Sequence, residues 1–208
     1  MFDCSGVIID DLYTVWNANS DAYEAFGFKR FETLEEFKEK FKLPIPEFHR
    51  CSGIPEDRVD EVEKGFKQFY PKYFFHVKIF PEVKDVLEEL KRKRISLSIV
   101  SNIPNLFLRE HLQEFKIANY FDVITSQEDC NEQKPSPKSL LVTLEKLKAR
   151  PEESAYVGDM EEDVIAGKRA NVYTIAISRA GSYHPSWRLK KQNPDYFISS
   201  LYELLSLF

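Results

Sequence analysis

The sequence predicts an α/β fold: a doubly wound parallel-sheet (Rossmann-like) core with an inserted α-helical cap domain. Three observations carry this. Helix-period and strand-like runs alternate from residue 83 to the end of the chain. The strand-like runs stop at polar residues, as strands do when their ends face a ligand. A block near the start, 13–79, shows helical stretches with no convincing strand between them. Alternation of this kind implies βαβ units and a parallel sheet.

The elements follow in order. "VKDVLEELKRK" (83–93) places Val83, Val86, Leu87 and Leu90 on one helical face. "ISLSIVSN" (95–102) is rich in strand formers and ends at Ser101-Asn102. "NLFLREHLQEF" (105–115) is helical, "FDVITS" (121–126) a strand, and "SPKSLLVTLEKLK" (136–148) a helix. "SAYVGD" (154–159), "VYTIAIS" (172–178) and "DYFIS" (195–199) read as strands. "EDVIAGKRAN" (162–171) and "SLYELLSLF" (200–208) read as helices.

Within 13–79, "YTVWNANSDAYEAFGF", "TLEEFKEKF" and "DRVDEVEKGFKQFYPKYFF" are helical, with many Phe and Tyr residues expected to pack a small bundle. "LPIPEFHRCSGIPED" (43–57) reads as its Pro-rich loop. The division expected is a core of residues 1–12 and 80–208, interrupted by a cap of residues 13–79.

Composition narrows the functions. The chain has 208 residues, 43% hydrophobic and 30% charged, which is ordinary for a globular protein. A net charge of −5 gives no basic footprint for nucleic acid. The run Lys91-Arg92-Lys93-Arg94 suits the solvated C-terminal end of a helix, where cations complement the dipole. Cys4, Cys51 and Cys130 are an odd set without metal spacing, as expected in a reducing compartment. No apolar run approaches the roughly 20 residues of a membrane span, and no signal peptide is apparent. A cytoplasmic location with no membrane partner is the expectation; oligomeric state is not legible.

The strand ends deliver Asp3, then Ser101 and Asn102, then Lys134 in "EQKPSP", then Asp159 and Asp163 in "GDMEED". Each alone has an ordinary explanation: a turn-forming Asp, a helix-capping Ser-Asn, a surface Lys. Together they suit a phosphate group and a divalent cation.

These segments resemble the haloacid dehalogenase-like (HAD) hydrolases of the capped, phosphoglycolate phosphatase-like type. "FDCSGVIID" resembles the family's FDxDGxxxD, "SIVSN" its second motif, "KPSPKSL" its third, and "YVGDMEEDVIAGKRAN" its GDxxxDxxAGxxAG. "IFPEVKDVLEEL" matches the stretch leading out of the cap. The resemblance spans the whole chain. It implies a Mg²⁺-dependent phosphatase acting on a small phosphorylated metabolite through an aspartyl-phosphate. Asp3 would be the nucleophile, since a carboxylate can split one hard hydrolysis into two easier steps. Asp3 and Asp159 would bind Mg²⁺ by their side chains and Ser5 by its carbonyl, with Asp163 supporting the metal. Mg²⁺ suits one or two carboxylates plus a substrate phosphate. Lys134 would neutralise Asp3 and the phosphoryl oxygens. Ser101 would hold the phosphate with the N–H groups opening the next helix, and Asn102 either joins it or caps that helix.

Three departures stand out. Family phosphatases carry an acid–base Asp two residues after the nucleophile, where this chain has Ser5. Such catalysis contributes roughly 10²- to 10⁴-fold, so attack would survive while turnover slows. Asp10 and Asp11 lie too far along the chain to fill the gap directly. Ser5 fits an engineered inactivating change, a natural member that binds without cleaving, or a chemistry that needs no such acid, as in phosphonate and carbon–halogen cleavers and transport ATPases. A non-catalytic protein that binds a phosphorylated ligand or a protein partner is therefore the alternative function. Second, only Met1 and Phe2 precede Asp3, whereas a central strand needs about five residues. The expectation is that the chain starts inside a longer one; a nearly absent strand would leave neighbouring backbone groups unpaired. Third, Met160 stands where a small polar residue is frequent. For specificity, His49 and Arg50 in the Pro-rich loop are the candidate anion contacts. Tyr183, His184 and Trp187 lie in a loop that could reach the rim, while His76, His111 and His184 show no shared metal spacing and have no assigned role.

Overall fold

The computed structural model describes residues 1–208. In order, the regular elements are β1 (Ile9–Asp10), α1 (Leu12–Ala25), α2 (Leu34–Lys40), α3 (Ile45–Cys51), α4 (Val59–Tyr73), β2 (Lys78–Ile79) and α5 (Val83–Arg92). Then come β3 (Ser98–Val100), α6 (Asn105–Glu114), β4 (Val123–Thr125), α7 (Lys138–Leu147), β5 (Ala155–Gly158) and α8 (Glu161–Arg169). β6 (Tyr173–Ile177), α9 (Ser186–Lys191) and β7 (Tyr196–Ile198) complete the series, followed by a 3₁₀ segment, Leu201–Ser206.

β3 pairs with β4, and β5 with β6 and β6 with β7, all parallel. Residues 1–3 join these two groups. Phe2 bridges Ile99 on one side and Val157 on the other, both in parallel. The backbone order across the sheet is therefore β4, β3, residues 1–3, β5, β6, β7. Residues 1–3 thus occupy the centre of the sheet. The Phe2 amide donates to Ser98 and the Val100 amide to Phe2, both at 2.8 Å. The Asp3 amide donates to Val157 at 2.8 Å and the Val157 amide to Met1 at 3.0 Å. The backbone groups beside this short segment are thus paired, as burial demands. Phe2 itself joins the main hydrophobic core.

Beyond Asp3 the chain folds back at once. The Cys4 carbonyl accepts from the amides of Val7, Ile8 and Ile9. Gly6 has φ +70°, and a Cβ there would lie 2.1 Å from Asp159 Oδ2. Only glycine satisfies both the backbone and the contact. β1 then pairs antiparallel with β2 through Ile9–Ile79 and Asp10–Lys78. At this small ribbon the chain leaves the sheet for the helices and returns.

α1 and α4 pack together, and a cluster of Tyr23, Phe31, Phe37, Phe41 and Phe48 fills the space beside them, all buried. The Phe31, Phe37 and Phe48 ring centroids lie 5.3–5.7 Å apart, within the range of favourable aromatic pairs. The stretch 43–57, expected to be a loop, instead contains α3. Pro44 precedes that helix and Pro46 lies in its first turn. Proline is suited to a helix start, where its missing N–H costs nothing, so the prolines marked a beginning rather than a break. At the other end of the molecule, the Lys91–Arg94 run closes α5 as expected. Lys91 pairs with Asp122, and Lys93 donates to the Leu205 carbonyl.

Candidate active site

The carboxyl ends of the parallel strands bring the charged residues to one place. Asp3 ends the short central segment, Ser101 follows β3, Asp159 follows β5, and Asp163 sits in the first turn of α8. Lys134 enters from the segment before α7. Its Nζ lies 2.9 Å from Asp3 Oδ1 and 2.6 Å from Asp163 Oδ1, and it donates to the Tyr156 hydroxyl at 2.9 Å. All these groups are buried, Lys134 to 1% exposure. Such a lysine is rare unless its charge is matched. Gly158 makes room: a Cβ there would lie 2.2 Å from Asp163 Cβ.

Asp163 is fully engaged. Its Oδ1 accepts from Lys134 and, at 3.1 Å, from Tyr156, while Oδ2 accepts from the Met160 amide at 2.9 Å. It orients the lysine and caps α8. Asp3, Asp159 and Asp163 each place a carboxylate oxygen within 4.8 Å of the others. Three carboxylates against one ammonium leave two negative charges. Burial therefore pushes Asp3 up to about 6, against the pull of Lys134. Burial, reinforced by the Asp163 and Asp3 charges, holds Asp159 well above the carboxylate range. Burial alone would lower Lys134, but Asp163 and Asp3 outweigh it and keep it firmly charged. Asp159 Oδ1 is buried with no partner. An orphaned carboxylate oxygen beside two uncompensated charges fits a divalent cation bound by oxygen.

The other side of Asp3 departs from the sequence expectation. Asp11 is not remote. It is buried, and Ser5 Oγ donates to its Oδ2 at 2.7 Å. The Tyr183 hydroxyl donates to Asp11 Oδ1 at 2.9 Å, and the Tyr183 amide to Asp159 Oδ2 at 2.5 Å. Burial pushes Asp11 up to about 7, despite the Ser5 and Tyr183 hydrogen bonds. The turn at residues 4–9 cancels the six-residue separation between Ser5 and Asp11.

A cavity opens over this floor. Asp3, Ser5, Asp11, Ser101, Asn102 and Lys134 line it from the sheet side, and Tyr183 and Met160 from the neighbouring loops. Val15, Asn19, Phe41, Leu43, Ile45, His49, Glu63, Phe66, Lys67 and Tyr70 line it from the helical block. Ser101 Oγ accepts from the Ile103 amide at 3.2 Å, and Asn102 Nδ2 is buried without a partner. The Asn105 amide opening α6 is taken by Glu128 at 2.7 Å. Of the two expected specificity residues, Arg50 is elsewhere: exposed, and paired with Glu47 and Glu56. His49 does line the cavity, but burial lowers it to about 4, so it is a neutral contact and not an anion site.

Residues 41–45 also fasten the helical block to the sheet domain. The Phe41 carbonyl meets His184 Nε2 at 2.9 Å, the Leu43 amide donates to Glu162 at 3.2 Å, and the Ile45 amide to Gln133 at 2.7 Å. Each of these side chains neighbours a residue of the charged floor or of the tyrosine that ties Asp159 to Asp11. His184, given no role by sequence, thus has a structural one. Trp187 is exposed and does not line the cavity.

A family model described as haloacid dehalogenase-like hydrolase matches residues 1–177. The chain belongs to that family. Among curated relatives it is 30% identical to pyrophosphatase PpaX of Oceanobacillus iheyensis, over all of this chain and 94% of that one. It is 35% identical to phosphoglycolate phosphatase of Aquifex aeolicus over 150 residues, covering 72% of this chain and 68% of that one. Among solved structures, a haloacid dehalogenase-like family hydrolase from Streptococcus pneumoniae superposes with a TM-score of 0.86, at 20% identity, over 100% and 96% of the two chains. The α/β fold expected from sequence is thereby that of the HAD-like hydrolases. Sequence reasoning missed Asp11, Tyr156, Glu162 and Gln133 as parts of the site's surroundings. Asp11 alone had a legible cue, the glycine that permits a tight turn after Ser5.

Proposed function

We propose that the chain is a Mg²⁺-dependent phosphatase of a small phosphorylated metabolite, working through an aspartyl-phosphate on Asp3. The observation that carries this reading is the buried floor itself: a nucleophilic carboxylate, one matched lysine, and an orphaned Asp159 oxygen with surplus negative charge. Asp3, Asp159 and the Ser5 carbonyl would hold Mg²⁺, whose charge would offset repulsion between carboxylates and phosphate. Asp3 Oδ attacks phosphorus as the ester oxygen leaves. Lys134 balances the charge on Asp3 and the phosphoryl oxygens, and Asp163 and Tyr156 hold Lys134 in place. Ser101 and Asn102 bind the phosphate oxygens from the opposite side. The names of the relatives, pyrophosphatase and phosphoglycolate phosphatase, support phosphoryl chemistry on small molecules.

Ser5 weakens the proton-transfer steps of the reaction. A serine hydroxyl has no useful pKa near neutrality, and this one is donated to Asp11. The nearest carboxyl on that side thus stands one hydrogen bond away, at position 11. Departure of the alcohol and attack of water lack a proton-transfer group at position 5, so breakdown of the aspartyl-phosphate is slow. The test moves the carboxyl. Ser5→Asp with Asp11→Ser should raise Mg²⁺-dependent phosphate release from an aryl phosphate by about 10²-fold or more. Ser5→Asp alone should gain far less, because it sets two buried carboxylates against each other. No gain in either variant, with no release by the parent chain, would favour a protein that binds a phosphorylated ligand without cleaving it.

A further inference from the structure

We infer that the substrate of this site is the monophosphate ester of an uncharged alcohol with an apolar body, and not a molecule carrying a second anionic group. The inference rests on the reading that a phosphate sits on the Asp3–Lys134 floor, and it specifies what must sit above it. Beyond the floor, the cavity wall is built from Val15, Ile45, Phe66, Tyr70, Ile103 and Met160. Among them stand the neutral polar side chains Asn19, Gln127 and His49 and one charged pair of positions on α4, Glu63 and Lys67.

Charge decides the matter. The cations lining the cavity are Lys134 and Lys67, with no arginine. Lys134 is already committed to Asp3 and Asp163. Lys67 is exposed and lies one helical turn from Glu63, which also lines the cavity; the two make no direct ion pair, so Lys67 keeps its charge solvated at the exposed side. Arg50, the cation that sequence offered, is held outside by Glu47 and Glu56. A carboxylate or second phosphate on the leaving group would therefore be desolvated against hydrophobic side chains and Asp11, with no buried cation to match it and Lys67, exposed and solvated, as the one unpaired cation in the lining. An unpaired buried charge is among the costliest arrangements in a protein. An alkyl or aryl body would gain by displacing water from the same wall.

His49 adds a finer preference. Its Nδ1 meets the Tyr23 hydroxyl at 2.9 Å, and its Nε2 is buried with no partner. With the tyrosine donating, Nε2 carries the proton, so His49 is left with one unused neutral donor. A hydroxyl or carbonyl oxygen on the alcohol would satisfy it without introducing charge.

The experiment compares non-hydrolysable ligands, so that it does not depend on turnover. Binding of propylphosphonate, phosphonoacetate and methylenediphosphonate to the full chain in Mg²⁺ is measured by calorimetry. The first two have closely similar shapes and differ in the charge of the terminal group. Propylphosphonate is expected to bind at least about tenfold more tightly than phosphonoacetate, with methylenediphosphonate no better than phosphonoacetate. Equal or tighter binding of either polyanion would overturn the inference, and so would failure of all three to bind. Phe66→Arg, which plants a cation on the apolar wall, should shift the preference toward phosphonoacetate by about tenfold or more; an unchanged ratio in a folded variant would count against the wall as the selector. Preferential binding of propylphosphonate together with no phosphate release from propyl phosphate would leave this inference standing and defeat the phosphatase reading instead.

Discussion

The floor and the roof of the cavity are built on opposite principles. Asp3, Lys134, Asp159 and Asp163 form a floor in which every group is ionisable and buried, gathered at the carboxyl ends of the strands. The roof, from α1, α4 and the 41–45 segment, is apolar and set by side-chain packing. Backbone geometry places the floor: a sheet bond fixes Asp3, and Gly6 and Gly158 let the carboxylates approach. Side-chain choice makes most of the roof, with backbone groups of Phe41, Leu43 and Ile45 fastening its edge. The difference assigns chemistry to the first and selection to the second, and it implies that they should fail in different ways.

The floor should fail electrostatically. Lys134→Met leaves three buried carboxylates with no cation, and breaking a buried pair from one side costs about 3–5 kcal/mol. Above neutral pH and without metal, denaturant unfolding should show a loss of that size. Added Mg²⁺ should restore part of it by binding the surplus charge. A loss unaffected by Mg²⁺ would detach the metal from this cluster.

The roof's attachment should fail on acidification. The Tyr70 hydroxyl on α4 meets His111 Nε2 on α6 at 2.8 Å, and Tyr70 also stacks on Phe107 with centroids 4.4 Å apart. Burial lowers His111 from 6.5 to about 4. Between those values the unfolded chain binds the extra proton, so His111's neutral burial is fully tolerated above pH 6.5 and costs stability as pH falls toward 4. A shift of this size corresponds to up to roughly 3 kcal/mol. Buried carboxylates with raised values, Asp3, Asp11 and Glu162, act in the opposite direction over much of the same range. The net curve is therefore uninformative, and the difference between the parent chain and His111→Phe is the quantity to follow. That difference should shift in favour of the variant as pH drops from 6.5 to 4. A constant difference would show that His111 is already protonated or free to leave its place.

The floor was largely legible in the sequence and the roof was not, for physical reasons. Asp3, Ser101, Asp159 and Asp163 follow strand-like runs directly, so recognising the strand locates the side chain. Lys134 belongs to a short motif with fixed spacing. Asp11 escaped because linear separation was taken for distance, whereas a turn through Gly6 returns the chain to Ser5. The loop of Tyr183 and His184 was expected to be able to reach the rim, but their contacts with Asp11 and the Phe41 carbonyl join segments more than a hundred residues apart, which no local pattern encodes. Arg50 and His49 looked alike as loop cations. Their fates diverged because they sit on α3, where adjacent positions point about 100° apart: His49 turned inward to Tyr23 and Arg50 outward to Glu47 and Glu56. The central strand showed the reverse. Its place in the sheet followed from Asp3 alone, and Phe2 pairs there with both neighbours.

The central claim is that Asp3 takes the phosphoryl group and that Ser5 leaves it there. The most direct measurement is the intact mass of the protein, acid-quenched shortly after mixing with Mg²⁺ and an aryl phosphate whose aryl group carries no charge. The account predicts a species heavier by one phosphoryl group, absent without Mg²⁺, absent in Asp3→Asn, and short-lived once the carboxyl is moved from position 11 to position 5. An adduct that persists in Asp3→Asn, or rapid phosphate release with no adduct in the parent chain, would contradict it.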